Sequence, residues 1–230
     1  MKAILLAAGL GTRLRPLTDT VPKCLVPVRG LPLLGIWLGL LHQYGIDQLL
    51  VNTHAHSAAV RDYLARHANG LSIRILEEPE LLGSAGTLAA NRDWIRQDPF
   101  FWVFYADVLT NARLDRMLLF HDQHPSAATL GVYEVSDPKR CGIAVTDAEG
   151  RITEFVEKPS NPRSRLAFSG LLIGTPALLD TLPTSFPSDL GFDVFPRLAG
   201  RMFAYAIREY LIDIGTQENY RLAQANWPGI

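Results

Sequence analysis

The opening of the chain limits its fold more than any other stretch does. Lys2 to Ala7, KAILLA, is a continuous apolar run after its lysine, and it breaks directly into the glycine bend of LLAAGLGTRLRPLTDTVPKCLVPV. A strand apolar at successive positions has both faces buried, which is the habit of a parallel sheet covered by helices. An α/β chain is therefore expected, with ligand loops at the carboxyl ends of its strands.

The following pattern agrees. Leu33 to Tyr44 has helical apolar spacing and stops at Gly45, Gln48 to Asn52 reads as a strand, and Ala58 to His67 as a helix. Ser72 to Leu76 is strand-like, Ala85 to Gln97 helical, and Phe100 to Tyr105 strongly strand-like. After about residue 125 the rhythm shortens to strands at Ala127 to Val135, Gly142 to Val145 and Ile152 to Val156, the last two joined by the turn DAEG. Proline-rich stretches at 159 to 162 and 183 to 187 read as surface loops, and Gln217 to Ala225 as a closing helix. No repeat, low-complexity tract or clear linker is visible, so the second half reads as an insertion and lid on the same sheet.

With 230 residues, 48% of them hydrophobic, the chain suits one large domain with an ample core. A net charge of −1 leaves no basic footprint for nucleic acid or an anionic membrane, which favours small-molecule chemistry. Cys24 and Cys141 form no framework spacing and read as reduced thiols, so a cytoplasmic location is expected. The apolar start is too short for a signal peptide, and no window approaches the ~20 apolar residues of a membrane span.

The bend AAGLGTR follows its strand as a dinucleotide-binding loop would, but the GxGxxG spacing fails because residue 14 is leucine, and Lys23 lies too far on for GxxxxGK. What remains is a glycine bend whose bare amides can approach phosphate oxygens, with Arg13 and Lys23 supplying cations. Taken alone, it is equally a strand-to-helix turn with solvated basic residues.

Five segments in order, LAAGLGTRLRPLTDTVPKCLVPV, GSAGTL, YAD, EFVEKP and DIGTQENY, resemble the sugar-phosphate nucleotidyltransferases. The stretch ILEEPELLGSAGTL is most similar to the mannose-1-phosphate guanylyltransferases among them. The resemblance implies a single Rossmann-like α/β domain with a doubly wound, mostly parallel mixed sheet. About residues 1–125 would bind nucleotide, and about 126–230 would bind sugar phosphate and form a lid. It also implies attack of a sugar 1-phosphate oxygen on the α-phosphorus of a nucleoside triphosphate, with pyrophosphate leaving in line. The attacking phosphate is already largely dianionic, its second pKa being about 6, so positioning and charge neutralisation carry the reaction, with Mg²⁺ as cofactor.

By the resemblance, Ala8, Gly9, Gly11, Thr12 and Arg13 wrap the triphosphate, Arg13 reaching the part that leaves, and Lys23 lies near the α-phosphate. Arg15 and Cys24 are read only as neighbours of that motif. Asp107, at the end of the apolar strand FFWVFYAD, is expected to hold the metal with Asp213 of LIDIGT, since Mg²⁺ takes one or two carboxylates together with substrate phosphates. The usual glycine before the first aspartate is Ala106 here, whose methyl could crowd the ribose. Glu157 is assigned to sugar hydroxyls and Lys158 to the sugar phosphate, with Gly142 lining the pocket. Adjacent strand residues point to opposite faces, so both reach one ligand only if the strand ends or bends there. Ser169 stands in a segment where the family often carries asparagine, which leaves the sugar open.

Where uridylyl- and thymidylyltransferases of the family commonly carry glutamine, the comparable position here is Glu78, so the resemblance implies that the base is read by Glu78 with the backbone near Gly83. A carboxylate only accepts, which suits the N1–H and 2-amino donors of guanine and opposes the carbonyls of uracil and thymine, so GTP is predicted. Glu77 or Glu80 could hold that register instead, and all three could be solvated loop residues. The acceptor is predicted to be mannose 1-phosphate or a related hexose or heptose 1-phosphate.

Several readings stay open beside this one. They are uridylyl or thymidylyl transfer to a hexose or amino sugar 1-phosphate such as N-acetylmuramate 1-phosphate, transfer to phosphocholine, and a non-catalytic nucleotide-sugar sensor. His54, His56, His121 and His124 lack acidic or thiol partners at metal spacing and read as solvated or hydrogen-bonded. FFWVFY reads as sheet core. Partners are expected to be small molecules, with no nucleic acid and no membrane. A homodimer is left open, and no room is foreseen for the C-terminal β-helix of larger relatives.

Overall fold

A computed structural model describes residues 1–230. In chain order its elements begin with β1 (Lys2–Leu6), β2 (Pro27–Val28), β3 (Leu31–Pro32), α1 (Leu33–Gln43), β4 (Gln48–Thr53), α2 (Ser57–His67) and β5 (Ser72–Glu77). They continue through α3 (Ser84–Ala90), α4 (Arg92–Ile95), β6 (Phe101–Tyr105), β7 (Val108–Thr110), α5 (Leu114–Gln123) and β8 (Ala128–Glu134). Then follow β9 (Gly142–Thr146), β10 (Ile152–Glu157), β11 (Leu166–Gly174), α6 (Pro176–Leu179), β12 (Met202–Ala206), β13 (Leu211–Asp213) and α7 (Gln217–Asn226). The α/β fold with a mixed central sheet expected from the sequence is formed, and that sheet has nine strands. No helix is long and apolar enough to cross a membrane.

Contacts divide the chain into two compact units. The first comprises Met1–Leu81, Phe104–Ala112 and Glu209–Ile230; the second comprises Leu82–Val103 and Arg113–Arg208. In the first, β1, β4 and β5 run parallel, with Leu5 beside Val51 and Val51 beside Ile75. Ala3, Ile4 and Leu5 have no exposed surface, so the continuous apolar pattern does report burial on both faces.

A second cluster in this unit explains how distant segments meet. Leu14, Val28, Leu33, Leu109, Ile214 and Trp227 are buried together, with Tyr210, Ile212 and Tyr220 packed against them. β13 pairs antiparallel with β7, setting Ile212 beside Leu109 and Asp213 beside Val108. Burying these side chains is the main force that fixes the end of the chain against the glycine bend. α7 starts where Thr216 accepts the N–H of Asn219 at 3.1 Å, an N-cap at the end of DIGT.

In the second unit β9 pairs antiparallel with β10 and β11, β11 antiparallel with β8, and β8 parallel with β12. The DAEG hairpin turn is held by Asp147 Oδ1, which accepts from the N–H of Glu149 at 3.1 Å and of Arg151 at 2.8 Å. Two departures from the sequence expectations have a local physical cause. The helix expected over Ala85 to Gln97 is interrupted at Asn91, whose amide donates to Thr87 O at 2.8 Å while its carbonyl accepts from Trp94 and Ile95. Strand β11 was not expected at all. Its pairing with β8 slips between Phe168 and Leu172, with Gly170 at φ +82, and this bulge breaks the alternation by which a strand is recognised.

The run FFWVFY is core as expected: Phe101, Trp102, Val103 and Phe104 are at most 1% exposed. His121 Nδ1 lies 2.8 Å from the Thr129 hydroxyl, and burial holds its pKa below the usual range. His124 stacks on Phe120 with ring centroids 4.0 Å apart, and His54 Nδ1 donates to Glu78 O at 2.7 Å.

Candidate active site

In the first unit, the chain leaves β1 through Ala8, which is buried, and then Gly9 to Arg13, which lie toward solvent. A Cβ on Gly9 would meet nothing within 4 Å, so glycine there keeps space clear. Gly11 has a stricter reason. Its φ is +64, a Cβ would stand 3.0 Å from Thr18 Cγ2 and 3.1 Å from Lys23 Cβ, and its carbonyl accepts the Thr18 hydroxyl at 2.7 Å. The bend is thereby folded back onto the turn that carries Lys23.

Lys23 is the centre of the arrangement. Only 10% of its side chain is exposed, and Nζ lies 2.5 Å from Asp107 Oδ2 and 3.9 Å from Asp213 Oδ1. Asp107 follows β6, Asp213 ends β13, and Ile214 N–H donates to Asp107 O at 2.8 Å, so backbone pairing delivers both carboxylates to one ammonium. Gly215 makes room beside them: a Cβ there would fall 2.8 Å from Asp213 Oδ1 and 3.0 Å from an Arg13 guanidinium nitrogen. Arg13, Lys23, Asp107 and Asp213 are thus brought together from three separate parts of the chain. Ala106 is buried and donates its N–H to Leu6 O at 3.0 Å.

Two carboxylates that share one ammonium make an oxygen-donor set suited to a hard divalent cation, which needs few protein ligands when phosphates complete the shell. The residues present therefore fit Mg²⁺.

Glu78 is separated from its neighbours by burial. It is 2% exposed and accepts the Asn52 amide at 2.9 Å, and Asn52 Oδ1 in turn accepts the N–H of Ala7 at 2.7 Å. Glu77 is half exposed and pairs with Arg61 at 3.1 Å, and Glu80 is exposed. Asn52 was missed by sequence reasoning because its partners are residues 7 and 78, far away in the chain.

In the second unit, β10 ends at Glu157, opposite Gly142 of β9. Lys158 then takes φ +49, and its N–H donates to Cys141 O at 2.9 Å. The strand turns here, and Lys158 Nζ comes within 3.7 Å of Glu157 Oε1. That turn meets the geometric condition for both side chains to reach one ligand. Gly142 is dictated by packing, since a Cβ would press into the Glu157 carboxylate and sit 2.6 Å from the Phe155 ring. Burial raises the Glu157 pKa above the usual carboxylate range and Asp189 adds to the rise, while Lys158 opposes it.

Ser169 is 2% exposed, accepts the Leu171 N–H at 3.2 Å within the β11 bulge, and faces Gly131. Its hydroxyl serves the strand, and the structure does not bring it to the Glu157 carboxylate. At Gly83, φ is +77, and Ala85 and Gly86 donate their N–H groups to Ser188 O at 3.0 and 3.2 Å, so that backbone is occupied within the protein. Sequence reasoning also missed Asp189, which accepts the Ser84 hydroxyl at 2.8 Å and the N–H groups of Gly191 and Phe192. The turn-forming PSDLG around it was its only signal.

Comparison with known proteins gives concordant results. The model of a family described as Nucleotidyl transferase matches residues 2–228. The chain is 36% identical over 227 residues to "Mannose-1-phosphate guanylyltransferase catalytic subunit beta" of Xenopus tropicalis, covering 96% of this chain and 62% of that protein. It is 32% identical over 228 residues to "Mannose-1-phosphate guanylyltransferase 1" of Arabidopsis thaliana, covering 96% of this chain and 63% of that one. The chain therefore spans about three fifths of the length of the curated relatives it matches. A solved UDP-glucose pyrophosphorylase in complex with UDP-glucose superposes with a TM-score of 0.86 at 23% identity, covering 98% of this chain and 97% of that one, a likeness of fold.

Proposed function

We propose that this chain, which belongs to the nucleotidyl transferase family, joins the nucleotidyl group of GTP to mannose 1-phosphate and releases pyrophosphate. The observation that carries the reading is the Lys23 ammonium set 2.5 Å from Asp107 and 3.9 Å from Asp213, beside Arg13 and at the base of a glycine bend. Cations clustered at open backbone amides suit a polyphosphate, and paired carboxylates suit the metal that accompanies it.

In this reading a phosphate oxygen of the sugar 1-phosphate forms a bond to the α-phosphorus while the bond to the pyrophosphate oxygen breaks. Gly9 to Arg13 hold the triphosphate, and the Arg13 guanidinium offsets the charge gathering on the leaving group. Lys23, released from Asp107, faces the α-phosphate. Mg²⁺, held by Asp107 and Asp213, would supply positive charge to the phosphate oxygens. Glu157 accepts sugar hydroxyls and Lys158 pairs with the sugar phosphate. No proton need be removed from the attacking group, because its second pKa is about 6.

GTP and mannose are supported by the names of the relatives and by Glu78, the one buried acidic residue of its segment. Its fixed carboxylate, oriented by Asn52, can accept from guanine donors and from no pyrimidine carbonyl. The free thiols of Cys24 and Cys141 support a reducing, cytoplasmic setting.

The test is pyrophosphate release with Mg²⁺ across GTP, UTP, dTTP, CTP and ATP, each against mannose, glucose and amino sugar 1-phosphates, with Asp107→Ala as blank. Turnover confined to GTP and mannose 1-phosphate is expected, with Glu78→Gln weakening the preference for guanine. A preference for UTP or dTTP would overturn the role of Glu78. No turnover with any pair would overturn catalysis in favour of nucleotide-sugar sensing.

A further inference from the structure

The π-helical turn Leu190–Val194 meets both Glu157 and Lys158, although none of the five segments that carry the family resemblance includes it. It is firmly pinned. Asp189 Oδ1 accepts the N–H of Gly191 at 2.8 Å and of Phe192 at 3.2 Å, and Oδ2 accepts the Ser84 hydroxyl at 2.8 Å. Ser84 Oγ also accepts the N–H of Leu190 at 2.8 Å, and the Asp189 N–H goes to Asp193 at 2.7 Å. Such wide turns recur at functional sites because they re-aim a few side chains without breaking the chain path.

Two consequences bear on the site. A Cβ on Gly191 would lie 2.5 Å from Glu157 Oε2 and 3.1 Å from its Cδ, so the carboxylate occupies the space that a side chain would take. No left-handed φ is involved at Gly191, which makes the requirement one of space alone. The next residue, Phe192, is 57% exposed, and Lys158 Nζ lies 5.4 Å from the centroid of its ring. A lysine ammonium over an aromatic face is attracted by the ring quadrupole. Lys158 is thus held from two directions, by the ring and by Glu157 at 3.7 Å.

We propose that the turn Asp189 to Phe192 is the positioning element of the sugar-phosphate site: Gly191 sets the Glu157 carboxylate and Phe192 holds the Lys158 ammonium ready for the phosphate. A lysine ordered beforehand loses less conformational freedom when the anion arrives. The inference rests on the reading of Glu157 and Lys158 as sugar-phosphate residues.

The experiment measures kcat and both KM values with GTP and mannose 1-phosphate for Phe192→Leu, Phe192→Tyr, Gly191→Ala, Glu157→Gln, Lys158→Ala and the Gly191→Ala/Glu157→Gln double variant. Phe192→Leu is expected to raise KM for mannose 1-phosphate about two- to five-fold, with KM for GTP unchanged and Phe192→Tyr restoring it. Gly191→Ala should raise the same KM about tenfold, and the double variant should be no worse than Glu157→Gln alone, because both act through one carboxylate. If Glu157→Gln and Lys158→Ala raise KM for mannose 1-phosphate while the Phe192 and Gly191 variants do not, the turn has no such role. If neither control moves it, the sugar-phosphate reading falls and the inference falls with it. Phe192 is a surface residue, so its variants decide the matter even if Gly191→Ala does not fold.

Discussion

The two cysteines of the chain differ in their surroundings. Burial pushes the Cys24 thiol up to about 12, which leaves it protonated and inert, whereas Cys141 is partly accessible. A thiol reagent at pH 8 is expected to label Cys141 in the folded protein, and Cys24 only after denaturation; mass spectrometry of the labelled peptides checks this. Glu157 is held in surroundings that disfavour its charge. Its folded pKa is raised, so between the ordinary carboxylate value of about 4.3 and the folded value the native state binds more protons than the unfolded chain. Stability therefore falls as pH rises through that window, and the ionised carboxylate stays unfavourable at neutral pH. Glu157→Gln is expected to raise Tm by about 1–3 °C at pH 7, with the gain vanishing below about pH 4, where both states are protonated. Lys23→Ala should have the reverse character. It leaves Asp107 and Asp213 without their shared ammonium, lowers turnover on the order of a hundredfold or more, and makes Tm respond more strongly to Mg²⁺ than in the parent protein.

The loops and turns carry as much of the site as the sheet does. Gly83 joins φ +77 to a close approach by the Ser188 carbonyl, which in turn receives the first amides of α3. Gly83→Ala is expected to lose about 2–4 kcal/mol of stability in denaturant unfolding, well beyond an exposed glycine such as Gly200, where a Cβ meets nothing. The same scale shows what could be read from sequence. β1, β4 and β6 were legible because each buries most of its side chains, and a run of apolar residues states that directly. β11 was not, because the bulge at Gly170 hides its alternation, and the break at Asn91 was not, because it depends on a side chain competing for a helix carbonyl. Arg13, Lys23, Asp107 and Asp213 were singled out through motif and chemical type, and the structure brings the four together. Asn52, Asp189 and Gly191 were not, since their roles are set by partners brought near only by folding.

Across the whole molecule, each proposed ligand has its own set of groups. The first unit contains the glycine bend, Arg13, Lys23 and both aspartates; the second contains Gly142, Glu157, Lys158 and the turn beside them. Cys24 is buried and protonated, and the hydroxyls of Thr18 and Ser84 bond to Gly11 O and the Asp189 carboxylate within the protein. The central claim is accordingly that the protein positions its two substrates and neutralises their charge, while the substrates alone exchange bonds. The stereochemical course of the reaction tests this most directly, using GTP made chiral at the α-phosphorus by sulfur and mannose 1-phosphate as acceptor. The account predicts inversion, the mark of a single in-line displacement. Retention would mean two displacements through a covalent nucleotidyl-protein intermediate, and would contradict it.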